Sequence, residues 1–212
     1  MAGEDKNRPK IRNIIFDWSG TISDDFGILY EIVMELFDRK GAKRVSRETF
    51  LRSYSLPYMI SINQFIDVGK EEWDAMFREA WHKKGFPKPF PDAEDTLDWL
   101  KSKGITMAVL TSHPESFIRR EMKKYFGEKE FFKEVFADAY DKKDSIHLLL
   151  DKLGFSPEET AFVGDTVHDI ETGKHAGVIT AAVLSGYNTE EALRAAEPDV
   201  VLGSIAELKE VV

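Results

Sequence analysis

The sequence contains no cysteine, which removes disulfides, thiolate metal sites and a cysteine nucleophile together and suits a reducing compartment. It also lacks any apolar run of membrane-spanning length, and its opening stretch, Met1 to Lys10, has no apolar signal core. A soluble cytoplasmic protein with no membrane partner is expected. Positive charge is short: 29 Lys and Arg face 38 Asp and Glu, for a net charge of -9. A broad nucleic-acid footprint is therefore not expected. Gln64 is the single glutamine, beside abundant Lys and Glu, a bias shared with proteins from hot environments. What remains is ordinary for a globular chain, with 42% hydrophobic and 32% charged residues over 212 positions. That length suits one domain, or a core carrying a smaller insert, and it sets no oligomeric state.

Five short apolar runs read as strands: 14–16, 105–110, 160–163, 178–184 and 200–202. They are nearly continuous in apolar character, as in strands covered on both faces. Helical stretches alternate with them, one from Asp92 to a stop at Gly104. Ser156-Pro157-Glu158-Glu159 reads as a helix start with a capping box, and Ser204 with Glu207 repeats that pattern. Alternation of this kind predicts a parallel α/β sheet with right-handed crossovers.

Between the first and second strands lies a gap too long for a simple crossover. Phe26, Leu29, Tyr30, Val33, Met34 and Phe37 follow helical spacing, and so do Trp73, Met76, Phe77, Ala80 and Trp81. The gap holds nearly half of the chain's aromatic residues. It is expected to be a helical insertion, 23–90, on a core made of 1–22 and 91–212. Most of its aromatic stripes should pack helix on helix, while Arg52, Tyr54, Tyr58 and Met59 are candidates to face a substrate pocket.

Three apolar runs end in a polar residue: Phe16 gives way to Asp17, Leu110 to Thr111, and Gly164 to Asp165. In a parallel sheet these carboxyl ends line the ligand crevice, so the three side chains can converge. Asp169, four residues past Asp165, shares its face if a helical turn follows. Carboxylates so gathered repel unless a cation joins them, and all-oxygen ligation suits Mg²⁺.

These residues resemble a known pattern. Phe16-Asp17-Trp18-Ser19-Gly20-Thr21-Ile22, then Leu110-Thr111-Ser112, then Lys142 or Lys143, then Val163-Gly164-Asp165-Thr166-Val167-His168-Asp169 are similar to the four ordered motifs of the haloacid dehalogenase-like superfamily. The resemblance spans nearly the whole chain from Ile11. It implies a Rossmann-like, three-layer α/β/α core with an inserted helical cap, and a Mg²⁺-dependent phosphatase acting on a small phosphorylated substrate. By position, Asp17 is the nucleophile that forms an aspartyl phosphate. Mg²⁺ is held by Asp17, Asp165, Asp169 through water and the Ser19 backbone carbonyl. Thr111 and Ser112 meet the phosphoryl oxygens, and Lys142 or Lys143 neutralises them, the spacing to Ile146 favouring Lys142. The turn from Trp18 to Gly20 is expected to add backbone N–H donors.

One position departs from the pattern. Family phosphatases carry a second Asp two residues after the nucleophile, as acid and then base, and here it is Ser19. Loss of such help typically costs about 10² to 10⁴ in rate. His113 and Asp24 are the nearest alternative acids. Other readings are a degenerate member that binds Mg²⁺ and a phosphorylated ligand with little turnover, a phosphonate-cleaving enzyme, or a dehalogenase. Phosphonate cleavage needs a cap lysine for a Schiff base, and no lysine lies between Lys43 and Lys70. Dehalogenases need no metal and lack the Gly-Asp-x-x-x-Asp arrangement of Gly164 to Asp169.

Overall fold

Successive residues of the central strands are buried on opposite sides of one sheet, because side chains alternate along a strand while helices cover both faces. The computed structural model of the protein describes residues 10–212, so all but the last residue of the opening stretch Met1 to Lys10 lies outside the described residues. The chain runs through β1 (Asn13–Phe16), β2 (Ser23–Asp24), α1 (Phe26–Arg39), α2 (Arg47–Ser53), α3 (Met59–Ile62), α4 (Lys70–Lys84) and β3 (Lys88–Pro89). It continues with α5 (Ala93–Ser102), β4 (Thr106–Leu110), α6 (Glu115–Phe126), β5 (Phe132–Phe136), α7 (Lys143–Leu153) and β6 (Thr160–Gly164). It ends with α8 (Val167–Ala176), β7 (Ile179–Val183), α9 (Glu190–Ala195) and β8 (Val200–Leu202). Among the described residues no helix is long and apolar enough to cross a membrane.

The main sheet has the order β5-β4-β1-β6-β7-β8, and every pairing is parallel. Ile14, Phe16, Met107, Val109, Ala161 and Val163 pack on one face with Leu97 and Leu100 of α5 and Ile118 of α6. Ile15, Ala108, Leu110 and Phe162 pack on the other with Ile146, Leu149 and Leu150 of α7. β1 lies between β4 and β6, Phe16 standing opposite Val109 on one side and Val163 on the other. The chain builds outward from β1 first in one direction and then in the other. This reversal opens the crevice at the carboxyl ends of these three strands.

The core is the α/β layer arrangement that the alternation predicts, with one strand more. β5 escapes the apolar-run criterion because Lys133 and Glu134 interrupt it, and as a sheet edge it tolerates charge. Two expected helix starts are also corrected. Pro157–Glu159 forms only a 3₁₀ turn, since β6 begins at once, and the Ser156 hydroxyl turns to Glu158 instead of a backbone N–H. Ile205–Glu210 is likewise 3₁₀: Ser204 caps the Ala206 N–H, and Glu207 accepts from Gly203. The reciprocal capping box is found instead at Thr166 and Asp169, opening α8.

The segment between β2 and β3 is helical. Its aromatic stripes form a separate cluster with Val33, Leu36 and Phe37 of α1, Phe50 of α2, and Trp73 and Trp81 of α4. Each such burial contributes roughly 1.5–3 kcal/mol relative to exposure. Phe117 of α6 joins this cluster and stacks on Trp81 at 5.8 Å, fastening the insert to the core. β2 and β3 pair antiparallel, Ser23 with Pro89 and Asp24 with Lys88.

Candidate active site

The first carboxylate is placed directly by the ladder. The Asp17 N–H donates to Val163 O at 2.8 Å, so the residue continues the line of β1 and carries its side chain past the sheet edge. Asp165 directly follows the last residue of β6, and Asp169 sits in the first turn of α8. All three are buried, and one oxygen from each lies within 4.8 Å of the others. Lys142, itself 1% exposed, is placed between two of them: its Nζ is 2.9 Å from Asp17 Oδ1 and 2.6 Å from Asp169 Oδ1. Lys143 points away and pairs with Glu171 at the surface.

Each carboxylate is oriented by other groups. Asp169 Oδ2 accepts from the Thr166 N–H at 3.0 Å and the Thr166 hydroxyl at 2.6 Å, so one residue caps a helix and faces the site. Asp165 accepts from the Thr21 hydroxyl at 2.9 Å and from the Tyr187 N–H at 2.7 Å. Gly20 and Gly186 press on it so closely that a Cβ at either would lie 2.3 or 2.0 Å from its Oδ2. Gly20 also has φ +76°, which favours glycine by itself.

Charge in this pocket is unbalanced. Burial raises Asp17 above the usual carboxylate range, with Lys142 opposing, and burial then Asp17 and Asp169 push Asp165 well up. Burial acts to lower Lys142, but Asp169 and Asp17 outweigh it and hold its ammonium above the ordinary lysine value. Three buried carboxylates against one ammonium form an all-oxygen donor set with excess negative charge. That set fits a divalent cation such as Mg²⁺. Burial lowers His168, whose Nε2 lies 3.3 Å from the Lys142 backbone N–H and 3.2 Å from Asp141 Oδ1, at the start of α7.

Thr111 directly follows β4, is 1% exposed, and its Oγ1 accepts from the His113 N–H. Ser19 and Ser112 line a cavity of about 130 Å³ together with Asp17 and His113. The expectation that Trp18 and Gly20 offer free N–H donors is corrected. Trp18 donates to Asp17 Oδ1 at 2.6 Å and Gly20 to Ser23 O at 2.8 Å, because the turn closes on itself. Of the cap candidates, Tyr54 and Tyr58 line the cavity, whereas Arg52 is exposed and pairs with Glu48, and Met59 is buried in the cap cluster. Lys70 does reach the cavity wall, but its ammonium is paired with Asp74.

Asp24 is also corrected, by one residue. β2 alternates, so Ser23 and Asp25 turn inward while Asp24 is exposed. Asp25 accepts from the Tyr187 hydroxyl at 2.7 Å, and burial raises it to about 6. Tyr187 in turn stacks on Tyr54 of the cap at 4.4 Å. Sequence reading also missed Glu121. It is 1% exposed and accepts from the Trp18 indole N–H at 2.8 Å, while its Oε1 faces His113 Nε2 at 3.5 Å. A charged residue on the apolar face marked by Phe117 and Ile118 was the available signal.

A model of the haloacid dehalogenase-like hydrolase family matches residues 14–183. The chain is 28% identical to a phosphoglycolate phosphatase from Vibrio parahaemolyticus, covering 95% of this chain and 96% of that one. It is also 28% identical to the pyrophosphatase PpaX of Halalkalibacterium halodurans, covering 96% and 97%. A solved hydrolase of the haloacid dehalogenase-like family from Streptococcus pneumoniae superposes with a TM-score of 0.79 at 22% identity, over 94% and 97% of the two chains.

Proposed function

Since the chain belongs to the haloacid dehalogenase-like hydrolases, we propose that it is a phosphatase of small phosphorylated metabolites, working through a phosphorylated Asp17. The observation that carries this reading is the joint burial of Asp17, Asp165, Asp169 and Lys142 at the carboxyl ends of β1 and β6, beneath a cavity roofed by the cap. The 23–90 segment serves as the cap and the remainder as the catalytic core.

In this reading Asp17, Asp165, the Ser19 carbonyl and Asp169 would hold Mg²⁺. Bound there, it would supply positive charge to the phosphoryl oxygens and so admit an anion to an acidic pocket. The Asp17 carboxylate attacks phosphorus, and water later hydrolyses the aspartyl phosphate, dividing one difficult step into two. Lys142 keeps Asp17 ionised and aimed, and donates to the phosphoryl oxygens beside Thr111.

Asp17→Asn tests the proposal. Purified protein with Mg²⁺ should hydrolyse members of a phosphomonoester panel, and the variant should lose at least about 10³ in kcat. Equal activity in both proteins overturns the nucleophile assignment. No activity in either favours the ligand-binding alternative, for which Ser19 is the specific ground.

A further inference from the structure

The cavity above Asp17 constrains the leaving group, a constraint that rests on the phosphatase reading. Its volume, about 130 Å³ including the space beside Asp17 and Ser19, is of the order of the roughly 150 Å³ apolar cavity that takes up one benzene molecule, which leaves room for no more than one small ring. The wall is largely apolar and aromatic, with Leu29, Phe50, Tyr54, Ile62, Trp73 and Phe77. Ring edges and faces at this density favour another ring.

The charges along the wall point the same way. A carboxylate or second phosphate on the leaving group would need an unspent cation. Among the described lining residues the basic ones are Lys70, Arg78 and His113. Lys70 is paired with Asp74, and His113 Nε2 lies 3.5 Å from the buried Glu121 carboxylate without hydrogen-bonding to it, turned to that group and not to a ligand. Arg78 is exposed, where an ion pair is worth little. Asp25 and Asp138 line the same space and would oppose a second negative charge.

Ser19 supplies a third, independent reason. Without a carboxyl acid at that position, departure of the leaving oxygen as an anion is the favoured route. A phenol, with an ordinary pKa of about 10, does so far more readily than an alkyl alcohol.

We infer that the preferred substrates are phosphoric monoesters whose leaving group is a single uncharged aromatic ring. An Asp17 oxygen forms a bond to phosphorus while the bond from phosphorus to the aryl oxygen breaks. The electron pair leaves on the phenolate, which takes its proton from water. A second water then bonds to phosphorus as the aspartyl bond breaks, its proton passing to solvent, with inorganic phosphate released and the carboxylate restored.

The test compares kcat/KM for phenyl phosphate, phosphoglycolate and pyrophosphate with Mg²⁺. It also measures inhibition of the intact enzyme by phenylphosphonate and phosphonoacetate, which report binding without a leaving group. Phenyl phosphate should exceed both others by about tenfold or more, and phenylphosphonate should bind at least about tenfold tighter than phosphonoacetate. Phe77→Ala should remove most of that binding difference, with Leu29→Ala as the second variant if the first fails to fold. Equal or reversed binding of the two phosphonates, no binding of the aryl one, or a better kcat/KM for phosphoglycolate or pyrophosphate overturns the inference and leaves the phosphatase reading standing. Loss of all Asp17-dependent hydrolysis overturns the phosphatase reading and, with it, this one.

Discussion

A carboxyl group enclosed by protein gives up hydration when it ionises, and for Asp25 this makes stability fall as pH rises. Its ordinary pKa of 3.8 is raised to about 6 by burial. Below pH 4 both folded and unfolded chains hold the proton, and the contribution is complete. Between pH 4 and 6 the unfolded chain releases it while the folded chain keeps it, so stability is lost through that window and stays lost above it. The rise corresponds to roughly 3 kcal/mol. Asp25→Asn keeps an acceptor for the Tyr187 hydroxyl and removes the charge. It should therefore be more stable than the parent by about 2–3 kcal/mol at pH 8 and equal to it at pH 4, as read from urea midpoints. Ser19→Asp should raise kcat on alkyl phosphates by on the order of 10² and on phenyl phosphate by less, in steady-state assays at neutral pH. Residues of this kind differ in how far the sequence discloses them. Asp17, Thr111 and Asp165 each end an apolar run, and that local break is visible. Asp25, Glu121 and Tyr187 act through partners up to 162 positions away, and no local pattern encodes such a pairing.

Among the elements, the loop from β7 to α9 does the most with the fewest side chains. Its Tyr187 N–H fixes Asp165, its Tyr187 ring stacks on Tyr54, and the Asn188 amide donates to Tyr54 O at 3.1 Å. The loop thus ties the Asp165 side of the site to the cap. Gly186→Ala would force a methyl group against Asp165. Displacing a ligand through its support typically costs 10–100-fold in metal affinity, and calorimetric titration with Mg²⁺ should show a loss of about that size in a variant that still folds. The inner strands β1, β4 and β6 were readable because burial on both faces enforces an unbroken apolar run. β5 was not, since an edge strand has no such requirement, and the short helices α2 and α3 offer too few turns for a period to emerge.

At the scale of the molecule, part of the net charge of -9 is buried at the site. If all ionise, Asp17, Asp165 and Asp169 outnumber Lys142 by two charges, so the metal-free fold carries an electrostatic burden that a divalent cation relieves. Mg²⁺ at about a hundred times its Kd should stabilise the fold by roughly 2.7 kcal/mol and raise Tm by about 5–10 °C. Scanning calorimetry against a chelated sample checks this, and Asp165→Asn should abolish most of the shift.

The two-residue pairing of β2 with β3 sets the terms on which the chain can lengthen. It holds both ends of the helical insert at one point, so the core meets the same closed root whatever lies beyond it. Closing a longer flexible loop costs only about 0.6 kcal/mol per doubling of length. The part of the chain that faces substrate can therefore grow or shrink by whole helices at almost no entropic charge to the sheet that carries Asp17.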